Sequence, residues 1–428
     1  MRRDRSARVV SIVLADTPRP DRLSDFLRFN APWLAAGLLL TFTSSFGQTF
    51  FISVFAGEIR EAFGLSHGAW GGLYALATTA SAAVMVYAGV LTDRFRVRHI
   101  GLVVLIGLIC AALLMSLITE VWMLAITIFL LRLFGQGLMS HSAMVAMARW
   151  FVATRGRAVS IAGLGVALGE AMLPITFVAL LGVFDWRMLW IGAAVIMAAL
   201  TPVLWLLLSQ ERTPQSFLAT DGSAGLKGRM WTRAEVLRHP VFWLMVPALM
   251  GPAAWNTAYF FHQVHLAEAK GWAHVSLVAL FPLYTAASVG AMLTAGWLVD
   301  RFGSLRLGAV YLLPLAAGYM VVALAGSVPA GALAMMLIGA GQGMHMTMMA
   351  TFWAEVFGTR HLGAIRAMMG AVMVLGTAIG PGVTGTVIDL GLDFPTQGYG
   401  IAVYFLLASG LAALASRVAL RDSASDAS

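Results

Sequence analysis

The sequence predicts an all-α membrane protein: about twelve transmembrane helices in two pseudo-symmetric six-helix bundles around a central cavity. Three observations carry that expectation: the composition, the spacing of apolar stretches and an internal repeat. Of 428 residues, 60% are hydrophobic and 11% charged, whereas roughly a quarter of a soluble domain is charged. So few charges cannot cover a water-facing surface, so the solvent for most of this chain is apolar. A dozen spans of about 20 residues take roughly 240 residues, which leaves short connections.

Taken in order, apolar stretches cover 31–56, 68–91, 100–118, 121–147, 158–183 and 188–209, then 241–265, 275–298, 307–326, 330–353, 366–388 and 397–416. We number them spans 1 to 12. Residues 1–30 precede them and hold seven arginines. Their only apolar run, Val9 to Ala15, is too short for a signal-peptide core, so a cytoplasmic tail is expected. The polar segment 210–239 contains glycine and serine and reads as a cytoplasmic linker. It separates an N-terminal bundle, 31–209, from a C-terminal bundle, 240–416, and 417–428 is a second tail. Cys110 is the only cysteine, so an internal disulfide is excluded.

Charge placement sets the orientation. Of the 28 Lys and Arg, 24 fall on the side of the N-terminus, 3 on the other, and Arg132 lies inside span 4. The expected topology has both termini in the cytoplasm. The net charge of +8 is thus a membrane signature and not a nucleic-acid footprint. Arginine supplies 26 of the 28, which points to a GC-rich bacterial genome and hence to an inner membrane.

The two halves repeat. Gly89-Val-Leu-Thr-Asp93-Arg94-Phe95 recurs 207 residues later as Gly296-Trp-Leu-Val-Asp300-Arg301-Phe302. Gly135-Gln136-Gly137 recurs as Gly341-Gln342-Gly343, at 206. Phe50-Phe51 recurs as Phe260-Phe261 at 210, and Gly169 and Pro174 recur as Gly376 and Pro381 at 207. Four matches in one order and at nearly one offset indicate duplication. Parallel six-span repeats are a common transporter plan.

These motifs resemble those of the major facilitator superfamily, over essentially the whole chain. Gly89-x-x-x-Asp93-Arg94 resembles that family's motif between spans 2 and 3, and Arg132-Leu-Phe-Gly-Gln136-Gly137 resembles its span 4 motif. Arg149-Trp-Phe151, Arg155-Gly156, Ser160-Ile-Ala-Gly163, Gly165 and Gly169 resemble the monocarboxylate and oxalate–formate porter branch. Two positions depart from the pattern. Arg96 follows Phe95 where glycine is usual, while the second copy keeps Gly303. Span 8 carries no basic residue, where that branch typically carries one to hold a carboxylate.

The residues suggest three functional groups. An aspartate in the Asp93-Arg94 loop can accept bonds from free amides at a helix N-terminus, so Gly89, Asp93, Arg94, Gly296, Asp300 and Arg301 are expected to form a conformational latch. Arg132 sits roughly 16 Å into span 4, near the midplane, where a charge is a functional candidate by default. Helical spacing puts Arg132, Gln136, Gln342 and His345 on equivalent faces of spans 4 and 10, and the resemblance implies that those faces border the cavity. Gln48, Asn256 and Tyr284 join them as candidate substrate contacts. Glu170, roughly 18 Å along span 5, is at nearly the depth of Arg132. It is expected to carry a coupling proton and to pair with Arg132 in one conformation, a static salt bridge being the alternative. Gly165-x-x-x-Gly169 and Gly376-x-x-x-Gly380 allow close helix approach, and the resemblance implies that they help one half rock against the other.

The sequence has no metal cluster, phosphate-binding loop or nucleophile–base set, so neither a cofactor nor enzymatic activity is expected. The leading reading is a secondary, proton-coupled carrier of a small organic solute, possibly a monocarboxylate, working as a monomer. The 24 methionines and 13 tryptophans also suit an adaptable cavity for neutral or cationic lipophilic compounds, and a transporter-like sensor is the third reading.

Overall fold

The computed structural model describes residues 23–88, 91, 95–151, 154–209, 226, 229–358 and 360–424. Helices occupy all twelve predicted stretches, and no β-strand occurs among the described residues. Among the described residues, seven continuous helices are long and apolar enough to cross a bilayer by themselves. A bent pair, Ser24–Gly47 and Thr49–Phe63, makes span 1. His67–Ala88, Pro240–Phe261, Leu313–Leu324 and Val328–Phe357 fill the places of spans 2, 7, 9 and 10.

Helix ends differ from the predicted edges at several spans, most at the start of span 1 and the end of span 12, and the linker holds a further helix. Span 1 begins at Leu23, inside the predicted tail. Span 12 runs from Phe394 to Ala424, past its apolar stretch. The linker ends in a short helix, Arg233–Arg238, held by a reciprocal cap: Thr232 N–H donates to Glu235 Oε2 at 2.8 Å. That backbone bond holds the exposed Glu235 carboxyl below the usual carboxylate range. Just before this helix, Trp231 is buried and donates its backbone N–H to Phe357 O at 3.2 Å, docking the linker on the end of span 10.

The duplication is visible in helix boundaries. Span 5 is Arg155–Leu181 and span 11 is Leu362–Asp389. Spans 4 and 10 begin at Val121 and Val328, again 207 residues apart. Inside span 4, residues Arg132–Met139 are wound as a π-helix, whereas span 10 is α-helical throughout. A π turn bonds i to i+5 and holds an extra residue. The recurrence of Gly135-Gln136-Gly137 after 206 residues instead of 207 falls on this π segment.

The two glycine pairs make the close helix approach that their spacing allows, each within its own half. A Cβ on Gly165 would collide with Leu38 and Thr41, and one on Gly169 with Ser45, all in span 1 of the same half. Gly376 and Gly380 meet Met250 and Ala254 of span 7 in the same way. These pairs therefore tighten each bundle internally. The halves meet elsewhere, at the end that carries connections 1–2, 7–8 and 11–12. Ser53 Oγ donates to Phe260 O at 2.7 Å, and Gln263 Nε2 donates to Phe50 O at 3.1 Å. Asp389 accepts from the amides of His67 and Gly68 at 3.0 and 2.8 Å. Every inter-half hydrogen bond recorded among the described residues lies at this end, except one at mid-depth between Glu170 and Thr285.

Candidate functional site

The site starts from two interruptions in helical geometry. Span 1 passes through a 3₁₀ turn, Ser45–Gly47, into Gln48, whose extended backbone (φ −86°, ψ 155°) ends the turn. The π segment of span 4 lies against this break. A Cβ on Gly135 would stand 2.6 Å from Gly47 Cα, so only two glycines permit the approach. Breaking span 1 frees carbonyls that a continuous helix would have bonded internally, and Arg132 uses one of them.

Arg132 is 2% exposed. Its Nη1 donates to Gly47 O at 3.3 Å and to Thr49 Oγ1 at 3.2 Å. Its guanidinium carbon stands 5.3 Å from the Tyr74 ring centroid, a cation–π contact. Thr49 Oγ1 and Tyr74 Oη are 2.5 Å apart, which closes the group. Nε is buried with no hydrogen-bond partner. Among the described residues, no carboxylate lies within ion-pair distance of this cation. Burying a charge without a counter-ion is costly, so the geometry is that of a charge awaiting one.

Glu170 does not meet Arg132 in this conformation. Its Oε2 accepts from Thr285 Oγ1 at 3.1 Å, across to span 8 in the other half. The expected pairing is therefore replaced here by an inter-half hydrogen bond, because span 5 turns this residue to the seam.

The C-terminal half supplies a second polar centre. Asn256 Nδ2 in span 7 donates to Gln342 Oε1 in span 10 at 2.8 Å, and Tyr319 Oη in span 9 donates to Asn256 Oδ1 at 3.0 Å. His345 is not part of it, contrary to the equal-face expectation. Gly341 and His345, one turn apart, both face span 9: Gly341 packs on Leu315, and the His345 ring stacks on Tyr311 at 6.1 Å. Gln342, one position along from Gly341, turns to span 7. Tyr284 is 5% exposed and meets Phe260 edge-on at 5.1 Å, a packing contact. Gln48 and Gln136 are half-buried at the span 1 break and on the π segment.

Of the latch set, Gly89, Asp93 and Arg94 lie outside the described residues. In the second copy Asp300 is exposed, and Arg301 lies over Trp297 at 5.4 Å. After Gly303, whose φ of +78° suits glycine, it is Glu355 of span 10 that accepts the Ser304 backbone amide, at 3.2 Å, and the Ser304 hydroxyl. In this second copy the helix-start amide is thus capped by a glutamate from another span.

Sequence reasoning missed Thr49, Tyr74 and Tyr319. For the first two the one-residue slip in the repeat was the available signal, since it marks the π segment around which they gather.

Comparison with solved structures gives the same architecture. A bacterial homologue of the human lysosomal transporter Spinster, inward-facing and unoccupied, superposes with a TM-score of 0.69 at 17% identity, over 92% of this chain and 98% of that one. Its occupied, inward-facing form gives 0.68 at 18% identity, over 91% and 97%. A variant of the nucleoside transporter NupG gives 0.63 at 11% identity, over 91% and 99%. No curated protein sequence matches this chain. The family model for the Major Facilitator Superfamily matches residues 37–381. With the duplicated six-span halves and the motifs in order, that match places the chain: it is a multi-pass membrane protein with a transporter fold and belongs to the major facilitator superfamily.

Proposed function

We propose that this chain is a proton-coupled secondary carrier of a small organic anion, a monocarboxylate being the simplest case, which moves by alternating access. The carrying observation is Arg132, a buried guanidinium with an unspent Nε donor and, among the described residues, no carboxylate in ion-pair distance. A solute carboxylate supplies the missing charge. A guanidinium offers a planar fork to a carboxylate and a lysine does not. Arg132→Lys is therefore expected to weaken anion binding and Arg132→Ala to weaken it further, by at least about tenfold. Thermal stabilisation of the purified protein over a panel of acids, amines and dyes measures this. Undiminished acid binding by Arg132→Ala overturns the reading, and a wild-type response to amines and dyes alone favours a lipophilic exporter.

We infer from the Lys and Arg count that the end where the halves meet is the outer, closed end, with both termini in the cytoplasm and the protein in a bacterial inner membrane. Glu170 is the proposed proton carrier. It stands at mid-depth on the seam between halves, bonded to Thr285 and, among the described residues, to no cation. A carboxyl group whose partners change as the halves move can load a proton on one side and release it on the other. Glu170→Gln is expected to abolish uptake driven by an imposed pH gradient and to spare exchange at equal pH. Surviving gradient-driven uptake removes Glu170 from this role. The Asp93 loop is proposed as the cytoplasmic latch, so Asp93→Asn should slow transport with little loss of binding.

A further inference from the structure

The C-terminal polar centre has a direction. Tyr319 is fully buried, and its hydroxyl has one recorded partner, Asn256 Oδ1. A buried hydroxyl must spend its proton, because an unmade bond costs more than a made one gains. Donation to Oδ1 fixes which way the Asn256 amide lies, since only its oxygen can accept. Asn256 then presents Nδ2 to span 10, and Gln342 meets it with Oε1 at 2.8 Å. That in turn fixes the Gln342 amide. Its –NH2 group is the end left over, on a side chain that is only half-buried and on the face of span 10 turned to span 7. A flipped chain of amides would leave the Tyr319 proton with no acceptor.

We infer that Tyr319 is a positioning residue: through Asn256 it holds the Gln342 carboxamide with its N–H donors toward the solute, so the C-terminal half selects a solute whose far end carries a hydrogen-bond acceptor and rejects one that carries an amine. The inference rests on the anion reading only for the other end of the solute, where Arg132 sits. Gln342 touches the solute; Asn256 and Tyr319 act through it. Specificity of this kind is strong because a donor facing a donor leaves two groups unpaired.

The test uses matched pairs, 4-oxopentanoate against 4-aminopentanoate, and the methyl esters of both, with affinity read by thermal stabilisation of the purified full-length protein. Wild-type protein is expected to prefer the oxo member by about tenfold or more. Tyr319→Phe keeps the ring stacked on Phe405, now at 5.7 Å, and frees the amides to flip, so the ratio should fall below about threefold. Asn256→Asp accepts from both Tyr319 and Gln342, turns the Gln342 carbonyl to the solute, and should reverse the preference. Should Asn256→Asp fail to fold, Tyr319→Phe alone decides. Esters that bind as tightly as acids would refute the anion reading while leaving the oxo-to-amino ratio readable. An unchanged ratio in Tyr319→Phe, or no oxo preference by wild-type protein in either series, overturns the inference.

Discussion

Spans 2 and 11 meet backbone to backbone, whereas spans 5 and 8, their equivalents under the repeat, carry bulk at the same places. A Cβ on Gly71 would collide with the carbonyl oxygen of Pro381 and reach 3.1 Å from Gly382 Cα; one on Gly385 would collide with the carbonyl oxygen of His67. The equivalent positions 207 residues away are Val278 for Gly71 and Val178 for Gly385. The polar groups differ as well. Asp389 accepts two amides at the start of span 2, and its counterpart is Gly182. Glu170 bonds Thr285 across the other seam, and the counterparts of this pair are Thr377 and Thr78. Thr377 bonds its own helix at Val374 O, and the buried Thr78 hydroxyl has no partner among the described residues. Duplication supplied two equal seams, and substitution has made one a tight, rim-locked contact and the other a looser contact with a carboxyl group at mid-depth. A carrier needs both a contact that closes firmly and a group that changes partners as it opens, and on the proposed reading the two tasks fall on different seams.

The largest expected effect tests the glycine seam. Gly385→Val should reduce transport to below about one-tenth, because a β-branched side chain has no room against the His67 carbonyl and helix backbones cannot yield as side-chain tips do. Val178→Gly, at the equivalent place, should retain at least about half of the wild-type rate, a loss of packing at a looser contact. Initial rates in proteoliposomes compare them. Equal losses would mean that the two seams close alike, and the comparison would break.

Next comes the rim. Asp389→Ala removes two charge-assisted bonds, each worth about 1.5–3 kcal/mol where buried. At a solvent-facing rim a combined effect nearer 1 kcal/mol is expected, or about a fivefold shift toward opening of the closed end. Spin-label distances between the ends of spans 2 and 11 read that shift. An unchanged distribution would leave the glycine packing as the sole holder of this seam.

These seam residues show where the sequence was legible. The twelve spans and the duplication could be read because apolar length and motif spacing are properties of the chain alone. The Gly165/Gly169 and Gly376/Gly380 pairs drew attention by their spacing, yet they pack within each half, while Gly71 and Gly385 stand in no such pattern. What a glycine touches depends on a partner helix that spacing does not specify. Asp389 reads as an ordinary charge at a span end. His345 was misplaced because a helical wheel fixes angles relative to the helix and not which neighbour each angle meets. The wheel put Gln342 and His345 on one face, and 60° of rotation separates span 7 from span 9. Arg132 was found because a charge inside an apolar stretch needs no partner to stand out.

The smallest expected effect compares the two threonines. Thr78 and Thr285 are the same residue type at equivalent places, so a change to valine removes the same hydroxyl and nearly conserves volume in both. They differ in what the hydroxyl meets and in burial, Thr78 being buried and Thr285 half-buried. Thr285 Oγ1 donates to Glu170 at 3.1 Å and so joins the halves. The Thr78 hydroxyl is buried and unpartnered. Removing a satisfied partner strands the other group, whereas removing an orphan relieves a desolvation cost. Thr285→Val should therefore slow gradient-driven uptake by about threefold, equivalent to under 1 kcal/mol, while exchange at equal pH changes less. Thr78→Val should leave both rates within about 20% and raise thermal stability slightly, by no more than about 1 kcal/mol. The two variants share their chemistry, so any difference between them reports the seam and not the substitution. If Thr78→Val slows uptake as much as Thr285→Val, the Thr78 hydroxyl finds a partner elsewhere in the cycle, and spans 2 and 11 exchange bonds at mid-depth as proposed for spans 5 and 8. That result would return the seams to the symmetry of the duplication and assign their difference to one conformation alone.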